Sequence, residues 1–429
     1  MSALDLISHQ PKDENVRTLL IFNPDIPTKE GEDEKKMLYC NSNQTHYSDI
    51  ANLGLFQTLI GFFSQFSKPL TTVNMKKTKT FLYSPEPSFW VSYTISANVP
   101  AIDETGVEFL KFLCDTFIFL NGSFTTQHNT LTPDLFALRL KKFFDNVLPE
   151  NPKDVLTSPG KFAGVQYNSI GKLPMTRLIN VMEDIKARFP CITDFTLFDN
   201  MSFLSTTLSY ELQSTLYNVF TVIREGSMDI GKRFSSLRTA NDERRIVFGV
   251  PDERSKSKSY LSATQDILNS SVYIKDEEKK WIVYEHKRFF FHFFLSPENT
   301  EVLKFLTFLN SEMPDVVERI WSDDFVKEKK SVMPNTNLFY FNVTTYVKHG
   351  ALSFFDRNDI MKMVSFVDLT KNGVSEFYIK GENGKWVVYL NIGGKVVKMV
   401  RQLNNNSNIS NAYGDVKSYI NQTFKNILY

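Results

Sequence analysis

Few residues in this chain have the types and spacing that covalent or metal chemistry needs. Gly226 to Arg233 (GSMDIGKR) reproduces the G-x-x-x-x-G-K spacing of a phosphate loop, in which backbone amides cradle phosphates and the lysine neutralises them. Arg233 stands where a Ser or Thr would hold magnesium, and the run follows a helical pattern rather than a strand, so it reads as a flexible basic linker. His286 and His292 lie in the strand-like run VYEHKRFFFHFFL, where even spacing puts them on one face. No third ligand stands at a suitable spacing, so they read as the polar edge of an aromatic strand rather than a metal site. Cys114 falls in an apolar helical run, which suits a core thiol and not a reactive thiolate. Cys40, Cys114 and Cys191 are odd in number and widely spaced, excluding a structural zinc site and fitting a reducing compartment without disulfides. Glu30, Glu32, Asp33 and Glu34 form an acidic run beside Lys35 and Lys36, either a solvated loop or a loop for docking protein. Nucleophile elbow, zincin helix and dinucleotide fingerprint are all absent. The expectation is a protein that is not an enzyme, with no catalytic residue, metal or cofactor.

Bulk properties narrow the class further. A chain of 429 residues exceeds one ordinary core and suggests two to four domains. With 42% hydrophobic, 23% charged and 38 phenylalanines, it has the composition of a folded globular protein with well-filled small sheets. A net charge of +1 gives no electrostatic drive toward nucleic acid, so no nucleic-acid partner is expected. The N-terminal run MSALDLISHQPKDENVR lacks an apolar signal core, which predicts a cytoplasmic protein whose membrane contact is peripheral.

Among the elements, one helix stands out. Ile50 to Ser67 (IANLGLFQTLIGFFSQFS) holds 18 residues without a charged side chain or histidine. At helical spacing Leu53, Phe56, Ile60 and Phe63 form one apolar row, and Leu55, Leu59, Phe62 and Phe66 form a second beside it. The opposite side carries Gly54, Gln57, Thr58, Gly61, Ser64 and Gln65, all small or neutral. A water-facing helix normally carries Lys, Glu or Arg there. The length would suit a membrane span, but Asn52, the glutamines and the hydroxyls are too polar for one. Two readings stand, a helix with one face in its own core and the other offered to a partner, or a core helix with a bland outer face.

Around this helix the order is β-β-α-β-β-β-α-α over residues 18–147, a five-stranded antiparallel sheet with flanking helices. The order recurs from residue 338, with strands at 338–346, 351–355, 376–380, 385–391 and 395–401, and helices at 359–369 and 415–428. Residues 175–326 carry a third copy, interrupted by a Gly/Ser/Arg/Asp-rich stretch, 226–268, that reads as a mobile insertion. The fold class is therefore α+β, three copies of one module, over 1–150, 160–330 and 331–429. From Lys371 onward eight Lys/Arg face three acidic residues, so Lys395, Lys398 and Arg401 are candidates for an anionic membrane surface, scattered strand lysines being the alternative.

Several of these stretches resemble the Ccz (calcium–caffeine–zinc sensitivity) vacuolar fusion family. LLIFNPDIPTKEGEDEKKMLYC is similar to that family's opening, FLYSPEPSFWVSYTI to its Pro-Glu…Phe-Trp strand pair, with Phe89 and Trp90 in place, and FIFLNGSF to its Asn-Gly helix end. LPMTRLINVMEDI and WVVYLNIGGKVVKMV…INQTFKNILY fit its middle and terminal modules, while 226–268 match poorly. The resemblance implies three longin domains and an obligate Mon-type (monensin sensitivity) longin subunit. With that partner it implies a guanine nucleotide exchange factor for the late-endosomal Rab GTPase, recruited to late endosome, lysosome or vacuole, with a phosphoinositide-bearing membrane and a third regulatory subunit as further partners. It places the GTPase and partner platform on the first domain, where Leu53, Gly54, Gln57, Thr58, Gly61, Ser64 and Gln65, with Glu30 and Glu34, become interface candidates. A longin adaptor without exchange activity, or a tri-longin exchange factor for another Rab, is the alternative.

Overall fold

Period-two apolar runs separated by turn formers build the first sheet. Its strands are β1 (Arg17–Phe22), β2 (Met37–Ser42), β3 (Thr72–Asn74), β4 (Thr78–Glu86) and β5 (Phe89–Ser96), antiparallel in the order β2-β1-β5-β4-β3. β1 lies inside the sheet between β2 and β5, and Leu19, Leu20, Ile21 and Phe22 are buried, as a strand covered on both faces requires. One face, through Leu20, Phe22 and Leu82, takes the helix α1 (His46–Phe63). The other, through Phe81 and Tyr93, takes α2 (Asp103–Asn121), with the Tyr93 and Phe109 rings edge-on at 5.7 Å. That approach is close because residue 106 is glycine: a Cβ there would stand 2.3 Å from the Phe81 ring. Gly122, at φ +89°, ends α2, and α3 (Phe124–Thr130) and α4 (Pro133–Val147) follow. Glu86 from the β4–β5 hairpin caps α3, accepting from the amides of Phe124 (2.7 Å) and Thr125 (2.9 Å). The short α3 and the first turn of α2 are elements that sequence patterning does not pick out.

The structure is a computed structural model. It describes residues 16–149 except 67–69, 100 and 102; 152–156, 162 and 164–166; 172–225 except 201; 234–238 and 244–249; 271–320 except 287–288 and 298–301; and, beyond, five strands between 336 and 402 with isolated residues 410, 413–414 and 418. It divides into two compact units, residues 1–159 with 222–231 and 273–277, and the remainder.

The remainder contains two further sheets. After α5 (Lys153–Leu156) and β6 (Val165–Gln166) come α6 (Lys172–Arg188), β7 (Ile192–Asp199), β8 (Ser202–Thr206), α7 (Tyr210–Glu225), β9 (Phe234–Arg238), β10 (Arg244–Gly249), β11 (Val272–Ile274), β12 (Glu277–His286), β13 (Phe289–Leu295), α8 (Val302–Ser311) and α9 (Met313–Ile320). The second sheet runs β8-β7-β13-β12-β10-β9, with β11 also pairing β12. Its first four places repeat the second-first-fifth-fourth order of the first sheet. The stretch 226–268 is thus not simply a loop: β9 and β10 lie within it and extend the sheet through the register Arg244↔His286 to Phe248↔Ile282. Two strands beyond the expected five result.

The third sheet is built from β14 (Thr336–Asn342), β15 (Val347–His349), β16 (Glu376–Lys380), β17 (Lys385–Ile392) and β18 (Lys395–Gln402). Its order, β16-β17-β18-β14-β15-β6, is again second-first-fifth-fourth-third read from β15, with β6 added in parallel at the margin as a sixth strand. The expected strand at 351–355 and the helices at 359–369 and 415–428 fall outside the described residues, apart from the isolated helical Ser418.

Candidate functional site

α1 begins four residues before the uncharged run, where Thr45 caps it by accepting from the Ser48 amide at 3.3 Å. Its inner row anchors it, with Leu53 and Phe56 against Leu20, Phe22 and Leu82 and Ile60 at the margin. At the N-terminal turn the buried Asp49 carboxylate accepts from the Ser42 hydroxyl at 2.9 Å. Leu53 has 0% exposure, so it belongs to the core and is not an interface residue, because the sheet claims the row it stands on. The remaining candidates lie elsewhere on the helix. Gly54, Thr58, Gly61, Ser64 and Gln65 are exposed, and Gln57 is half-buried with its amide nitrogen unpartnered.

The helix exposes more than that small-residue row. Phe62 and Phe66 are each 56% exposed and Leu55 is 38% exposed, so much of the second apolar row also faces outward. At the C-terminal end Phe62, Phe63 and Phe66 pack on one another, with centroids 5.3 to 6.0 Å apart. The result is a strip with a flat floor, Gly54-Thr58-Gly61-Gln65, flanked by Leu55, Phe62 and Phe66. The Thr58 and Ser64 hydroxyls donate to the carbonyls of Gly54 (2.9 Å) and Gly61 (2.8 Å), which lowers the cost of drying the strip. A Cβ at either glycine would meet nothing within 4 Å, so the domain's own packing does not need glycine there. Glycine in a helix interior costs about 0.5–1 kcal/mol against alanine, which argues for a use outside the fold.

An 18-residue helix offers roughly 300 Å² on one side, below the ~800 Å² per partner of a stable interface. A partner must reach past α1. The acidic loop adjoins it: Glu34 approaches His46 at 3.5 Å, and Glu30 is exposed. Lys35 and Lys36 pair within the loop with Glu32 (2.7 Å) and Asp33 (3.3 Å).

The other chemistry-bearing residues do not assemble. His286 and His292 are on two strands of a hairpin, and the register His286↔Phe289 and Val283↔His292 puts them on opposite faces of the sheet, correcting the one-strand reading. His292 accepts from the Trp281 indole at 3.2 Å among Phe198 and Phe220, and burial pushes it down to about 3. His286 meets Glu318 at 3.2 Å. Burial pushes the Cys40 thiol up to about 12 and also raises that of Cys114 well above the ordinary thiol value. No cluster of three metal-ligating side chains occurs among the described residues. Lys395, Lys398 and Arg401 all stand on the strand β18. Residues 226–233, the phosphate-loop lookalike, fall outside the described residues. No described helix is long and apolar enough to cross a membrane.

His292 has a consequence for stability. Below about pH 6.5 the unfolded chain binds a proton there that the folded chain refuses until near pH 3, so stability present at pH 7 falls across that window at up to about 1.4 kcal/mol per pH unit. Urea titrations at pH 7 and 5 should show His292→Phe losing less stability than wild type, by on the order of 2 kcal/mol. Identical pH dependence in both would refute the assignment.

A five-stranded sheet in this order, with α1 between the second and third strands and α2 after the fifth, defines a longin domain. Residues 16–122 match the model of the first longin domain of INTU, CCZ1 and HPS4. The chain is similar to the vacuolar fusion protein CCZ1 homolog of Xenopus tropicalis, 22% identical over 223 residues, covering 48% of this chain and 47% of that protein. It is similar also to those of Tetraodon nigroviridis (22% identical, 52% and 51% covered) and Nematostella vectensis (26% identical, 38% and 40% covered). The first domain and these relatives together make the chain similar to Ccz1-type longin proteins. It spans about half the length of the curated relatives it matches.

Proposed function

We propose that this chain is one subunit of a heterodimeric guanine nucleotide exchange factor, paired with a Mon-type longin subunit and acting on the late-endosomal Rab GTPase in endosome maturation and fusion with lysosome or vacuole. The observation that carries the reading is the outer strip of α1, exposed, uncharged and floored by two glycines that its own domain does not require. Such an exchange factor makes and breaks no covalent bond. It works by binding the nucleotide-free GTPase more tightly than the loaded form, drawing switch I away from the phosphates and magnesium that order it. The names of the curated relatives support the vacuolar setting. A third regulatory subunit and an anionic membrane surface complete the proposed assembly.

The test is to co-express the chain with a Mon-type subunit, purify the pair, and follow release of fluorescent GDP from a panel of Rabs. Acceleration confined to the late-endosomal Rab and dependent on both subunits is the expected result. A stable pair that accelerates none would overturn exchange activity and leave a tethering scaffold.

A further inference from the structure

The two margins of the first sheet are built differently. At one, β3 has only three residues, and β4 runs out through Ser84-Pro85-Glu86 with a register shift after Tyr83. A short strand, a proline and a bulge are devices that stop another chain adding to a sheet. At the other, β2 runs for six residues, Met37-Leu38-Tyr39-Cys40-Asn41-Ser42, without proline or charge. Among the described residues no strand pairs with its outer side.

The amides of β2 can be assigned to sides. Asn43 donates its backbone N–H inward to the Arg17 carbonyl at 3.2 Å. Donors alternate along the regular part of an antiparallel strand, so Asn41 and Tyr39 also face β1 while Ser42 and Cys40 aim outward. Beyond Tyr39 the ladder shifts register, and Leu38 is the bulged residue. The strand is held from one face of the sheet: the Tyr39 hydroxyl and the Asn41 amide both donate to Asp145 of α4, at 2.6 and 2.9 Å. It is a fixed template with one free row of hydrogen-bonding groups.

The loop entering β2 states what charge would suit it. Lys35 and Lys36 are committed to Glu32 and Asp33, so neither answers the exposed carboxylates of Glu30 and Glu34, the latter 3.5 Å from the exposed His46 imidazole. The far end, Asn41-Ser42-Asn43, has no charged side chain of its own, and the carboxylates of Asp145 and Asp49 accept from Asn41 and Ser42 there. A second copy of the chain laid antiparallel would bring each acidic loop against those carboxylates and answer no charge.

We infer that β2 is a docking edge that accepts an extended, basic segment of a partner polypeptide as a sixth strand. The segment's amides and carbonyls meet those of Cys40 and Ser42, and its Lys or Arg side chains meet Glu30 and Glu34. This edge is independent of the α1 strip.

The test uses the full chain and three fluorescent nine-residue probes: an alternating Val/Thr strand peptide with Lys and Arg at its charged positions, the same peptide with Glu there, and the basic peptide interrupted by proline. Fluorescence polarisation should show binding of the first alone, weakened by salt, and hydrogen-exchange mass spectrometry should show slowed exchange across residues 38–42. The double variant Glu30→Lys, Glu34→Lys, both sites being exposed on a loop, should weaken the basic peptide at least tenfold and admit the acidic one. Cys40→Pro, which removes an outward amide and keeps the inward ladder, should abolish binding while a circular-dichroism melt shows the chain still folded. Equal binding of acidic and basic peptides, protection elsewhere than β2, or β2 protection arising from self-association without peptide would each overturn the inference.

Discussion

Gly61→Arg is expected to abolish co-purification with a Mon-type subunit while leaving the chain's own thermal melt unchanged or slightly raised. The site is open, with nothing within 4 Å of a new Cβ, and arginine is a far better helix former than glycine, by roughly 0.8–1 kcal/mol. On the proposed interface the same change inserts a long cation into the floor of an uncharged strip. Loss of at least a hundredfold in affinity is expected from the overlap and the unpaired buried charge. Isothermal titration of the two purified subunits, with a melting curve for each, separates the effects. Wild-type affinity for Gly61→Arg would remove α1 from the interface.

Gly106→Ala should do the reverse, sparing every exposed surface and weakening the fold. Here the added methyl would overlap the Phe81 ring, itself fully buried beneath α2. Either the ring leaves its place or α2 lifts from β4, and overpacking of that kind costs about 1–3 kcal/mol, beyond what the better helix propensity returns. A lower urea midpoint at constant slope is the expected readout, and Gly106→Val should lower it further. A midpoint at or above wild type would mean that the helix–sheet contact tolerates a gap the packing does not show.

These two glycines also mark how far sequence reading reaches. Both sit in helices, and nothing in their neighbours tells an exposed strip from a close helix–sheet crossing. The architecture itself was readable, because strands with period two and turns such as Asp199-Asn200 and Asn121-Gly122 carry local signals, the φ of Asn200 and Gly122 being positive. α1 showed an apolar arc wider than the roughly 100° a sheet-packed helix needs, and that surplus was the available sign that Leu55, Phe62 and Phe66 would remain outside. Leu53 was misplaced because one helical row looks the same whether it meets its own sheet or a partner. β9 and β10, with sequences FSSLR and RRIVFG, carry few strand signals alone; β10 owes its state to pairing with β12, and β9 to pairing with β10. The His286–His292 hairpin was hidden because the run VYEHKRFFFHFFL turns without glycine or proline.

The parallel pairing of Val165–Gln166 with Val347–Lys348 sets an order on biosynthesis. Roughly 180 residues separate the partners, so when β6 leaves the ribosome its neighbour has not been made. At about 5–20 residues per second that interval is some ten to forty seconds, during which the whole second sheet can fold. The margin of the last sheet is therefore closed by a piece of chain that has waited through the synthesis of everything between.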